Sequence, residues 1–461
     1  AHLDQGRETV VMGAGHATVP LRTNLLNSLL DRAERESRHA RRLKLVAASC
    51  LDTAHTMNPE VIERVEGALD ALIPPRRKTE ARSLSLAGDR VLRRLPQSLD
   101  GLTSAQAVAC VRTAAFVGGT DAMRLLGNYA LATDHDVQWE LAKVWRYFPA
   151  ERYAAEVLAD APLRNGSIEI QQVAHVGHLR YLRNLRRTVI DLVEDGDLEN
   201  LDFLADARFL HRLRARAKQG AAVDLGPLAD HSEVNGVKLY SGRGYATNFE
   251  ALSGLDSLVD VTMPLPPGMR DLAFVHGLRQ ATTLHILRAA DLEDCSALTE
   301  LGELTDLALW GCRRLPGLPP SDQLIHLEVG DIENLAFSEI ATSFPQLASL
   351  RIYNCSDLRD LRFLATSSLT RLWVMDCRID DLAPLAQLPS LEQLSLLNVF
   401  AVDLSPLAGM PSLRELALAV VGEELDLTPF AEPQQPLTIK LDGKARGIEA
   451  LGPKVTVKPW R

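Results

Sequence analysis

Residues 369–396 read LTRLWVMDCRIDDLAPLAQLPSLEQLSL, with apolar residues at Leu369, Leu372 and Val374 and again at Leu391, Leu394 and Leu396. The two sets lie 22 residues apart, a step too long for a hairpin. The same spacing runs along much of the chain. The last apolar residue of each candidate strand is Ile170, Leu192, Ala215, Leu239, Met263, Ile286, Leu309, Val329, Ile352, Val374, Leu396 and Leu418, at steps of 20 to 24 residues. Two weaker turns follow at LTIKL and KVTVK.

The best copies, LTDLALWGC, LASLRIYNC and LTRLWVMDC, follow LxxLxLxxN/C, the leucine-rich-repeat pattern. Each repeat then supplies one short parallel strand, a tight turn and a connecting segment with further apolar anchors. In RIDDLAPLAQLPSL these are Ile379, Leu382, Leu385, Leu388 and Leu391. Their close spacing, and Pro384 among them, predict a 3₁₀-like outer segment rather than a full α-helix. One repeat cannot bury its leucine ridge alone, but a stack closes a continuous core. Burying a leucine fully contributes about 1.5–3 kcal/mol, set against the entropy of ordering it. Both ends of a stack need caps, for which the upstream helices and the GPKVTVKPWR tail are the candidates.

Upstream of residue 165 the pattern is helical. NPEVIERVEGALDALIPP has Asn58 as N-cap, Pro59 at the first helical position and apolar residues at Val61, Ile62, Val65, Leu69 and Leu72. TSAQAVACVRTAAFVGG opens on a Thr103 cap and closes on Gly118-Gly119. TDAMRLLGNYALATD, DVQWELAKVWRYF and PAERYAAEVLADAP are short and amphipathic, and short loops pack such helices in antiparallel pairs. The expected fold is an α-helical, HEAT-like hairpin region over residues 1–164. A leucine-rich-repeat solenoid with a parallel concave sheet follows over residues 165–461.

The composition, 46% hydrophobic and 24% charged, is that of a globular chain. No apolar run approaches the roughly 18 residues of a membrane span, so no membrane partner is expected. The opening lacks a signal-peptide pattern, and a start on Ala1 reads as a trimmed or internal N-terminus. Six cysteines without a CxxC point to a reducing, cytoplasmic compartment. Residues 1–220 carry 31 Lys+Arg against 28 Asp+Glu, whereas residues 221–461 carry 19 against 32. That acidity argues against general nucleic-acid binding by the second half.

Signatures of catalysis are missing: there is no GxxxxGK[ST], HExxH or GxSxG. No enzymatic activity, cofactor or metal is therefore expected in this chain. GRG at 242–244 reads as a repeat loop and EDGDLENLD at 194–202 as an acidic loop between strands. His175 and His178 have no further ligand nearby and are expected to face solvent. Cys312, Cys355 and Cys377 each fall three residues after a strand's last apolar residue, at a buried ladder position. Cys50 and Cys110 lie in apolar helices suited to packing rather than to a reactive thiolate.

The alternate strand positions point away from the leucines. Read in order they give His285 and Leu287, Asp306 and Trp310, His326 and Glu328, Arg351 and Tyr353, then Arg371, Trp373 and Met375, then Gln393 and Leu397. Trp, Tyr and Arg dominate binding hot spots. The candidate partner-binding residues are accordingly His285, Trp310, His326, Glu328, Arg351, Tyr353, Arg371, Trp373 and Met375. A concave surface packed against another part of the same protein would need the same chemistry. Earlier strands carry Arg212, Arg214 and Arg216, with Lys238 and Tyr240 beside them. These could hold an anion or a nucleic-acid end, or could equally pair with an acidic patch of a neighbouring domain; the nucleic-acid version is the less favoured.

RETVVMGAGHA, LLNSLLDRAERESRHARRLKLVAASCLDT and NPEVIERVEGALDALIPPR together resemble the stretch that follows the nucleotide-binding module of bacterial NACHT proteins, STAND-class NTPases related to animal NLR receptors. The likeness spans roughly residues 5–160. It implies a sensing and autoinhibitory C-terminal part of an antiphage protein, whose partner is a phage component or another domain of the same protein. The phosphate loop and the magnesium-binding acids are absent here, so no NTPase residue carries over. A stand-alone intracellular leucine-rich-repeat adaptor is the alternative. A secreted internalin-like adhesin shares the DLAPLAQLPSLEQL style, but free buried thiols count against it. A repeat-fused ligase would need a catalytic cysteine.

Overall fold

The computed structural model describes residues 2–52, 57–333, 335–356, 358–365, 367–399, 403–419 and 424–460, so Ala1 lies outside the described residues. Two compact units make up the chain: residues 1–189 with 206–209, and residues 190–205 with 210–461. The helical run ends at Leu158 and the first strand begins at Ser167.

In the first unit the caps do what their residue types dictate. The Asn58 side chain accepts from the Glu60 N–H, and helix Pro59–Asp70 buries Val61, Val65 and Leu69. Thr103 and Gln106 form a reciprocal capping box for Ser104–Val117. That helix ends at Gly118 and Gly119, both at positive φ, where any side chain would be strained. It packs on Gly119–Tyr129 and His135–Lys143. Arg112 clamps Glu140 through bonds of 2.6 and 3.0 Å, which compensates a carboxylate residue only 1% exposed. Two expected helices are shorter than their sequence pattern. His135–Lys143 tightens into a 3₁₀ turn at Val144–Tyr147, and Ala150–Tyr153 passes into a π turn at Ala154–Leu158. In the tightened turn Trp145 is buried, and its indole N–H donates to Ala150 O at 2.8 Å.

A 15-stranded parallel sheet follows the helices. In the second unit the strands from Asp260–Pro264 through Thr283–Leu287, Asp306–Trp310, His326–Gly330, Ser349–Tyr353, Arg371–Met375, Gln393–Leu397 and Glu415–Ala419 pair in sequence order. The two weak turns become strands Leu437–Asp442 and Val455–Pro459 in the same ladder. The register stacks leucine on leucine. Leu284, Leu307, Leu327, Leu350, Leu372, Leu394, Leu416 and Ile439 form one buried row, none more than 3% exposed. The outer segments are short 3₁₀ turns, such as Ala383–Gln387 and Ser405–Leu407, as the anchor spacing and the prolines predicted. Cys312, Cys355 and Cys377 are buried ladder residues, at most 1% exposed.

Two turn devices repeat with the strands. The six strands from Thr283–Leu287 to Gln393–Leu397 each exit through a left-handed residue: Arg288, Gly311, Asp331, Asn354, Asp376 and Asn398 all have φ between 47° and 77°. Gly, Asn and Asp reach this region at least cost. Asn354 and Asn398 also bridge to the preceding turn, donating to Asp331 at 2.5 Å and to Asp376 at 2.9 Å. The second device is an aspartate ahead of the outer turn. Asp294, Asp360, Asp381, Asp403 and Asp426 each accept from the N–H two residues on, at 2.7–3.0 Å.

These bonds hold Asp294 and Asp360 below the usual carboxylate range, chiefly through the N–H groups of Ser296 and Arg362. The Ser405 and Thr428 hydroxyls lead the same effect at Asp403 and Asp426. In the unfolded chain these groups titrate near their ordinary value of about 3.9. Their contribution is therefore complete above that pH and is lost as pH falls through the lower folded values. We expect urea midpoints to be level from about pH 5 to 7 and to drop below about pH 4. The triple variant Asp360→Asn/Asp403→Asn/Asp426→Asn should show a shallower drop.

Candidate functional site

Parallel register places the strand residues that alternate with the leucines in three rows. The first row runs Thr283, Asp306, His326, Ser349, Arg371, Gln393; the second runs His285, Ala308, Glu328, Arg351, Trp373, Ser395. The third runs Trp310, Gly330, Tyr353, Met375, Leu397. Adjacent strands lie about 4.8 Å apart, so neighbours within a row are in reach of one another. All nine sequence-predicted residues fall on these rows, across five consecutive strands.

Five of them touch one another directly. Trp310 and Tyr353 stack with ring centroids 4.9 Å apart and planes at 29°. They stand two strands apart, and the contact exists because Gly330 lies between them. A Cβ at Gly330 would come within 3.0 Å of Trp310 Cε3 and 3.3 Å of Cδ2 and Cζ3. The Arg351 guanidinium sits 3.8 Å over the Trp373 ring and 3.4 Å from Glu328. Burial and the Glu328 carboxylate push the Tyr353 phenol upward, with Arg351 opposing. His285 Nε2 lies 3.1 Å from Asp306. Burial alone would raise the Asp306 carboxyl, but the His285 contact and the charges of His285, His326 and Arg351 carry it below its ordinary value. Arg371 is exposed and has no carboxylate partner among the described residues. Leu397, expected to be open, is only 9% exposed, and Ser395 and Ala308 are also buried. The accessible part of this face includes the Trp310–Tyr353 stack, the Arg351–Trp373 pair, Met375, Arg371, Gln393 and the half-buried His285, His326 and Glu328.

The basic stripe is less available than its sequence implies. Arg214 lies 3.2 Å from Asp191 and 5.4 Å over the Tyr240 ring. Arg216 faces Asp197 at 3.7 Å and Lys238 pairs with Asp260 at 2.8 Å. Arg212 donates to the Asn235 amide oxygen at 3.1 Å. Most of the charge is thus balanced by carboxylates of the unit's own loops and strands.

Sequence reasoning missed three features. Gly330 was invisible because a glycine in a repeat carries no pattern signal, although its pairing with Trp310 and Tyr353 follows from register. Three of the capping aspartates had a signal, the D-x-A-P, D-x-S-P and D-x-T-P that begin at Asp381, Asp403 and Asp426. His175 is a correction: it is 6% exposed rather than solvent-facing, because its ring stacks on Trp145 at 4.4 Å. Burial pushes the thiols of Cys110 and Cys312 up to about 12, the opposite of what a nucleophile needs. Among the described residues no group of His, Cys, Asp and Glu gathers to hold a metal ion. No helix among them is long and apolar enough to cross a membrane.

No protein-family model matches this sequence, and no curated protein does. Solved structures with similar folds include an internalin of Listeria monocytogenes, 21% identical, with a TM-score of 0.33 over 54% of this chain and 64% of that one. A leucine-rich-repeat protein of Leptospira interrogans is 16% identical, with a TM-score of 0.43 over 61% and 76%. The plant peptide hormone receptor RGFR1, solved in complex with RGF2, is 13% identical, with a TM-score of 0.32 over 54% and 45%. The chain thus spans less than two thirds of the internalin's length.

Gly330→Ala should push Trp310 off Tyr353 while leaving the leucine rows intact. The expected result is a loss of near-ultraviolet aromatic dichroism with an unchanged far-ultraviolet spectrum. An unchanged aromatic signal would contradict the stack.

Proposed function

We propose that the second unit is a protein-binding sensor whose contact surface is the concave aromatic and arginine group. The observation that carries this reading is the Trp310–Tyr353 stack beside the Arg351–Trp373 pair on neighbouring strands. These side chains are held by one another before any partner arrives, so little entropy is lost on binding. An aromatic surface with a free arginine at Arg371 suits a protein segment offering an apolar anchor and a carboxylate. The chain itself carries no catalytic part in this reading. Tyr353→Ala combined with Trp373→Ala should weaken partner binding by about a hundredfold or more, since each hot-spot truncation costs at least about 2 kcal/mol. Calorimetry with the partner purified from source cells reads this directly, and unchanged affinity would remove the concave face from the account.

The finer reading is that this sensor belongs to a bacterial NACHT protein and holds it inactive in the cytoplasm until a phage component binds. It rests on the resemblance of the helices over roughly residues 5–160. The trigger acts by its difference in affinity between the held and released states. The second reading is an adaptor that binds its partner without any NTPase. An immunoblot of source-cell lysate, with antibody to the repeats, separates the two. A band well above 50.6 kDa is expected for the NACHT protein, and a band at that mass would favour the adaptor.

A further inference from the structure

The first unit holds a second group of side chains that the repeats do not explain. Helix His135–Lys143 places Trp139 and Lys143 on one face, four residues apart. The Lys143 ammonium lies 4.6 Å from the Trp139 ring centroid, and the indole is 38% exposed. Arg146 follows in the next turn, and Arg164 comes from the bend that leads into strand Ser167–Ile170. Lys143, Arg146 and Arg164 line one hollow with Trp139, Gln138 and His175.

Three properties of the hollow are unusual together. None of the three cations has a carboxylate partner among the described residues, whereas Arg112, Arg152 and Arg183 of the same unit are each ion-paired. The one acid in the lining, Glu169, accepts instead from the Gln171 amide at 2.7 Å. Gln138 is 6% exposed, and its side-chain amide donates to Ala132 O at 3.0 Å. Its carbonyl oxygen is buried with no donor among the described residues, so Gln138 forms part of the wall rather than a contact to the phosphate. Beneath lie the buried Trp145 and His175 rings, parallel to within 9°, forming a floor that does not depend on the occupant. The hollow is open on one side and small, about 30 Å³, too small to take in a whole organic molecule. The larger part of a ligand would lie outside, against the exposed part of Trp139.

We propose that this hollow binds a nucleoside phosphate, with the phosphate held among Lys143, Arg146 and Arg164 and the base stacked on Trp139. Clustered cations supply the phosphate affinity and its salt dependence. A flat exposed indole accepts any base, at about 1–3 kcal/mol for a stacked pair. The same chemistry could be presented by a free nucleotide or by the 5′-phosphorylated end of a single strand.

The test is calorimetric titration of the full chain with adenosine 5′-monophosphate, adenosine and inorganic phosphate. The monophosphate should bind, with adenosine and phosphate each at least about tenfold weaker, and its affinity should fall as salt rises. Arg146→Gln with Arg164→Gln should cost about tenfold or more, and Trp139→Ala about fivefold, with Trp139→Tyr restoring most of it. These side chains are on the surface, so unchanged far-ultraviolet dichroism is expected for every variant. A 5′-phosphorylated decanucleotide that binds far more tightly than the monophosphate identifies the strand end as the source; equal affinity identifies the free nucleotide. Absence of monophosphate binding up to about 10 mM, equal binding of adenosine, or full affinity in the arginine double variant would each overturn the proposal.

Discussion

A leucine on a five-residue strand has nowhere to go within its own repeat. It becomes buried only when the next strand places another leucine beside it in parallel register, as Leu350, Leu372 and Leu394 do. A one-residue slip would turn every one of these side chains to the other face. Register is therefore set by the buried rows, and everything on the opposite face inherits it. Arg351 meets Trp373 because Leu350 meets Leu372. The opposite face is a consequence of the core, one residue out of phase.

The same constraint explains why so much was legible. A spacing of 20 to 24 residues located the strands, and alternation within each strand separated buried from exposed positions. Those two readings alone placed all nine candidate residues on one face. What they could not supply was the distance between side chains two strands apart, which depends on the size of the residue between. Gly330 decides that distance, and nothing in its own letter says so. His175 was misread for a related reason: its neighbour Trp145 is thirty residues earlier, beyond any local pattern. The helix ends past Lys143 were overextended because amphipathic spacing does not distinguish an α turn from a tightened one.

Charge was misleading where it was read as a total. The acidity of residues 221–461 comes partly from aspartates that cap outer turns, among them Asp360, Asp403 and Asp426, and these describe folding rather than a partner. For the arginines of strand Leu210–Ala217 an anion site and pairing with acids were equally open readings, and Asp191 and Asp197 answer two of them while Asp260 answers Lys238. By contrast Arg371, Lys143, Arg146 and Arg164 have no such partner among the described residues. Cations left without a carboxylate are a better guide to a binding surface than the number of cations in a stretch.

The central claim is that the concave face of the repeats, and not their outer turns, meets the partner. Site-specific photo-crosslinking in source cells tests it, with the crosslinker placed at Gln393, beside Arg371 and Glu415 in the ladder, or at Gln387 in an outer turn. Both positions are exposed, so both can report. The account predicts one discrete adduct from Gln393 that disappears when Tyr353 is replaced by alanine, and none from Gln387. An adduct from Gln387 with none from Gln393 would contradict it.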